Sequence, residues 1–87
     1  MLIFDSFPNP AEAHRFQAEV TLRFGRKAIT VDSDEETAAR IGFFPFHLFP
    51  PVCLVERTYD ESFESQMEIE NQIESLAKEF CGRFAGT

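Results

Sequence analysis

Apolar residues along the chain fall into short continuous runs and longer periodic stripes. Leu2-Ile3-Phe4 is such a run, without alternation, and Pro8-Asn9-Pro10 bounds it. It predicts a first strand over Leu2–Phe7, shielded on both sides. Ala13, Phe16, Val20 and Phe24 then recur at helical spacing and define one buried stripe. Asn9 suits the cap of this helix, Pro10 its first position, and Glu12 the place from which a carboxylate reaches back. Gly25 ends it. Arg15, Glu19 and Arg23 share another face at four-residue spacing. Ala28-Ile29-Thr30-Val31, β-branched in its second half, predicts a second strand.

Ser33-Asp34-Glu35-Glu36 reads as a capping box, which predicts a short helix from Asp34 to Ile41 closed by Gly42. The stretch from Phe43 to Pro51 holds four of the eleven Phe and three of the five Pro. Pro45, Pro50 and Pro51 remove backbone donors, so this segment predicts an extended connection. Its rings either roof the core or face a partner. Val52–Val55 predicts a third strand. Thr58-Tyr59-Asp60-Glu61 offers a further capping box, with Ser62 as a competing cap, and the helix it opens runs to about Phe80. Gly82 is placed to take the left-handed closing position. Ile69, Ile73, Leu76, Ala77 and Phe80 form the inward stripe of that helix, with Phe63 and Met67 on a flank. Arg83-Phe84-Ala85 supplies a brief last strand.

The order is strand–helix–strand, a long connection, then strand–helix–strand, within a single domain over residues 1–87. The expected fold is α+β and ferredoxin-like, a βαββαβ chain forming a four-stranded antiparallel sheet with two helices on one face. That architecture hosts so many activities that it carries little functional information.

Composition sharpens this in two ways. A chain of 87 residues buries only about 60–65 % of the surface its unfolded form exposes, so the core is thin. Eleven Phe against one Tyr and no Trp mean that large rings do the filling, and some should be only partly covered. The net charge of −7 is uneven, with four bases against three acids up to Val31 and four against twelve beyond it. An acidic surface repels phosphate backbones, so direct nucleic-acid binding is disfavoured and a basic protein partner favoured. No membrane span is long enough to read, no secretory leader is visible, and two cysteines do not make a disulfide scaffold. The expected location is cytoplasmic.

Candidate chemistry is sparse. His14 and His47 have no nucleophile at a telling spacing. Cys53 and Cys81 could meet in space, although in a reducing compartment two small apolar fillers are favoured. Asp32, Asp34, Glu35 and Glu36 lack the spacing of a calcium loop and are explained by capping. Two Cys and two scattered His do not make a zinc site. The chain therefore carries no expected catalytic residue, metal or cofactor. Glycines that would cradle a phosphate after the first strand are missing, as are thiols for a soft metal there.

Two surface features remain. Glu64, Glu68, Glu70 and Glu74 make the outer side of the last helix acidic, and Phe43, Phe44, Phe46 and Phe49 can project from the connection. Rings surrounded by charge are the usual make-up of a protein-binding patch. The expected function is a small, acidic, non-enzymatic interaction module, an inhibitor or adaptor for a basic and even nucleic-acid-handling protein. Phage-encoded anti-CRISPR proteins offer a parallel of class, with no motif behind it. Two alternatives stand beside it. One is a homodimer formed through an open sheet face by rings such as Phe4 or Phe84. The other is a small-ligand-binding or minor enzymatic domain, with a mouth near Asp5, Ser6 and His14.

Overall fold

Asn9 turns the chain into its first helix. Its side-chain oxygen accepts from the Glu12 backbone N–H at 2.9 Å, and Pro10 follows at the position where a missing N–H costs nothing. The computed structural model describes residues 1–42, 47–57 and 62–87. In chain order these form β1 (Leu2–Asp5), α1 (Pro10–Phe24), β2 (Ala28–Val31), α2 (Asp34–Ile41), β3 (Val52–Val55), α3 (Phe63–Glu79) and β4 (Arg83–Gly86). The fold is α+β, with a four-stranded antiparallel sheet and three helices among the described residues.

Local chemistry sets most boundaries. Gly25 closes α1 in the left-handed region at φ 65°, returning its N–H to the Thr21 carbonyl. Ser33 caps α2 by accepting from the Glu36 N–H at 3.1 Å. β1 stops at Asp5, two residues short of the expected Phe7, because Ser6 swings to φ 65° and leaves the extended conformation. The start of α3 also differs from expectation. Ser62 is its cap, accepting from the Ser65 N–H at 3.3 Å, so the helix begins at Phe63. Thr58–Glu61 lie outside the described residues.

At the far end of α3, Cys81 rather than Gly82 takes the left-handed position, at φ 62°. Gly82 N–H reaches the Ala77 carbonyl at 2.8 Å and Cys81 N–H the Lys78 carbonyl at 3.1 Å, the paired bonds of a Schellman closure. Gly82 is needed for a different reason. A Cβ there would stand 2.4 Å from Cε1 of the Phe7 ring. Its bare backbone lets Phe7 sit against the turn.

The strands lie in the order β2-β3-β1-β4, every neighbouring pair antiparallel. β1 and β3 are central; β2 and β4 form the edges. Leu2 faces Val55 and Phe4 faces Cys53 across the central pair. These four point to the side carrying α1 and α3, where Phe7, Ala13, Phe16, Val20, Ile73 and Leu76 complete the main core. The rings interlock: Phe4 meets Phe16 edge-on at 5.1 Å and Phe84 at 5.4 Å, and Phe16 also meets Phe7 at 5.3 Å. Each ring pair adds roughly 0.5–1.5 kcal/mol beyond its buried area.

The opposite face of the sheet is partly covered, with Ile29 of β2 still 36 % exposed. Ile3, Val31, Val52 and Leu54 pack there with Leu48, and Ile41 of α2 and Ala85 lie against them. Leu48 belongs to the Phe/Pro connection, so this part of it roofs a second, smaller core. Phe43, Phe44, Pro45 and Phe46 lie outside the described residues. These contacts correct the expectation that this face is bare and carries rings such as Phe4 or Phe84. Phe4 is fully buried beneath α1, and Phe84 packs on that same side. Among the described residues no helix is long and apolar enough to cross a membrane.

Candidate functional site

α1 and α3 lie side by side on the sheet without closing fully over one another. Between them runs a groove of about 680 Å³. Phe63, Met67 and Leu76 line it from α3, Phe24 and Arg23 from α1, and Glu64, Glu68 and Glu79 stand along its acidic side. Phe63 is 76 % exposed and Met67 41 %. The inward stripe of α3 explains why. With Ile73, Leu76 and Ala77 directed at the core, Phe63 and Met67 fall off that stripe towards solvent, and Met67 also borders the smaller cleft of Glu70, Glu74 and Phe84.

The groove is negative because its acids have no counterions. Arg23, on the opposite bank, spends its charge on Glu19 at 2.7 Å. Among the described residues neither Glu64 nor Glu68 has an ion-pair partner. Asn71, Gln72 and Ser75 add neutral polar groups along the middle.

The predicted binding residues separate into four environments. Glu64 and Glu68 are exposed in this groove. Glu70 departs from expectation. It is only 7 % exposed and is held by Arg57, whose Nη2 stands 3.2 Å from Glu70 Oε1 and donates to Oε2 at 3.3 Å. Glu70 lies three residues before Ile73 and seven before Ala77, which turns it to the inner half of the helix. Glu74 is half-buried and lines a smaller cleft of about 260 Å³ with Glu70, Arg57 and Phe84. Phe43, Phe44 and Phe46 fall outside the described residues. Phe49 is 52 % exposed, but on the sheet side opposite α3, so it does not join the glutamates.

Phe49 belongs instead to a node around Asp5. That carboxylate is fully buried at the end of β1. Arg83, its register partner on β4, donates from Nε to Oδ1 at 2.9 Å and from Nη2 to Oδ2 at 2.8 Å. Ser6 Oγ donates to Oδ1 at 3.2 Å, and the Phe49 backbone N–H donates to Oδ2 at 3.0 Å. The Phe49 carbonyl accepts from the Ser6 N–H at 3.0 Å. Arg83 also lies 5.8 Å from the centre of the Phe49 ring, and His47 meets that ring edge-on at 4.7 Å. The carboxylate raises the pKa of the Arg83 guanidinium, first by hydrogen bonding and then by charge. Every contact of Asp5 is thus spent on fastening the connection and β4 to β1. The Asp5 carboxylate is committed to these bonds, His47 stands exposed against Phe49 in the same node, and His14 is exposed on α1.

The cysteines stay apart. Cys53 is buried in β3, and burial pushes its thiol up to about 12 despite a hydrogen bond with Thr30. Cys81 is exposed at the end of α3. Among the described residues no group of three or more His, Cys, Asp and Glu is placed to hold a metal ion. What the groove offers is an apolar and anionic trough along α3, bordered by the end of α1 at Arg23 and Phe24. Comparison with protein-family models, with curated proteins and with solved structures gives no significant match.

Proposed function

We propose that this chain is a small acidic, non-enzymatic protein-interaction module that binds a basic protein through the α1–α3 groove. The observation that carries the reading is Phe63, 76 % exposed beside the half-exposed Met67, with Glu64 and Glu68 next to them and unpaired. Leaving a phenylalanine in water forgoes about 1.5–3 kcal/mol that burial would supply. Uncompensated carboxylates beside it select against acidic partners and steer basic ones. An inhibitor or adaptor acting on a nucleic-acid-handling protein fits this chemistry, because such proteins present basic grooves.

The arrangement is also what a ferredoxin-like fold would display. Supporting this are the antiparallel order β2-β3-β1-β4 and α1 and α3 packed on one face. The helix α2, inserted before β3, is the addition to it.

Affinity capture with the unaltered chain and with Glu64→Lys/Glu68→Lys tests the function. A true partner is retained by the first, lost by the second, and released as salt approaches about 1 M, where screening shortens to about 3 Å. Retention of the same proteins by both chains would remove the groove from the account.

A further inference from the structure

We infer that the groove receives a single α-helix of the partner, apolar along the side that enters and lysine- or arginine-rich along its flanks. This deepens the preceding reading and rests on it. The trough follows α3 from Phe63 to Glu79, a path of about 24 Å at the rise of an α-helix, which matches about four turns of a ligand helix. Its long wall is α3, whose backbone N–H and C=O groups are bonded within the helix between its ends, and α1 adds only its last two residues, Arg23 and Phe24. An extended ligand needs a strand edge to satisfy its own backbone, and these walls offer none. A helical ligand arrives already satisfied and binds by side chains alone.

The side chains at the groove set the ligand's pattern. Phe63 and Met67 are four residues apart on one face of α3 and so stand one above the other. They form an apolar floor at one end for two ligand side chains that are themselves one turn apart. Met67, unbranched and polarisable, adapts to their shape. Glu64 and Glu68 border that floor and Glu79 stands at the other end of the trough, so cations are required on the ligand's flanks. A second copy of this chain is a poor occupant, because it brings a net charge of −7 to an already anionic trough.

The test uses the whole chain and three synthetic peptides of about 18 residues. One carries leucines at helical spacing among lysines, the second has the same composition with two central prolines, and the third replaces leucine by serine at equal charge. Binding is followed by the Met67 methyl resonance and by peptide circular dichroism. The leucine–lysine peptide should gain helix on binding, shift Met67, and lose about tenfold in affinity against Phe63→Glu. The proline peptide should bind at least about tenfold more weakly. Equal binding of the helical and proline peptides would overturn the helical ligand while leaving a basic partner in place. Equal binding of the serine peptide would overturn the apolar floor in the same way. No shift of Met67 with any peptide, together with a captured partner indifferent to Glu64→Lys/Glu68→Lys, would overturn the proposed function itself.

Discussion

Arg83 holds Asp5 with two parallel hydrogen bonds, 2.9 and 2.8 Å long, across 78 residues of chain. The two partners are unequal. Asp5 is completely buried, whereas the Arg83 side chain keeps 53 % of its exposure. Removing the arginine therefore strands a buried charge, and removing both charges does not. Arg83→Ala should lower the urea midpoint more than Asp5→Asn combined with Arg83→Met. Equal midpoints would show that the pair contributes nothing beyond packing.

Gly82 and Cys81 should respond in opposite directions. Gly82→Ala places a methyl against the Phe7 ring, 2.4 Å away, and should cost about 1–3 kcal/mol by overpacking. Trimming the ring with Phe7→Leu in the same chain should return part of that loss. Cys81→Gly relieves a left-handed residue worth about 1–2 kcal/mol, offset by about 0.5–1 kcal/mol of extra unfolded-state freedom. A small gain in stability is expected from chemical denaturation.

The buried thiol gives a pH signature. Cys53 is raised from 9.0 to about 12 in the folded protein, so its contribution is complete below the unfolded value. It is lost as pH climbs from about 9 towards about 12, at up to about 1.4 kcal/mol per unit. Cys53→Ala or Cys53→Val should flatten the alkaline limb of a stability–pH curve. At neutral pH a thiol reagent should modify Cys81 and spare Cys53 in the folded chain.

Two neighbouring glutamates on α3 should behave differently. Glu70→Gln leaves Arg57 without its ion pair and should cost about 1–2 kcal/mol, less than a fully buried pair because the Arg57 side chain is 25 % exposed. Glu68→Gln, at an exposed position, should change stability by less than about 0.5 kcal/mol. Thermal or urea unfolding of the two variants checks both.

Aromatic substitutions separate surface from core. Phe63→Glu should leave stability within about 0.5 kcal/mol while damaging the groove. Phe16→Ala, which removes a fully buried ring meeting Phe4, Phe7 and Phe80, should cost about 3–5 kcal/mol.

Signals confined to a few neighbouring residues were readable in advance. Asn9, Pro10 and Gly25 bracket α1 as expected, and Ser33 and Gly42 bracket α2. Competition between nearby caps was harder, since only the folded chain shows Ser62 opening α3. Glu70 was misplaced because its charge outweighed its position. Its spacing from Ile73 and Ala77 already matched the buried stripe, and Arg57 is the counterion that makes that position tolerable. The sides of β1 could not be told apart, because Leu2, Ile3 and Phe4 are all apolar and both faces are covered. Of the groove, α3's acids and its apolar flank were legible. Its α1 bank, Arg23 and Phe24, was not, because no local pattern reports which helix lies alongside another.

The position of Asp5 has a bearing on when this domain can form. Asp5 of β1 is made 78 residues before Arg83, so the growing chain carries this carboxylate before its counterion exists. Until residue 83 is made, only the Ser6 hydroxyl and the Phe49 N–H can replace water at that carboxylate. Seating β4 beside β1 is therefore the step that gives this buried carboxylate its opposite charge.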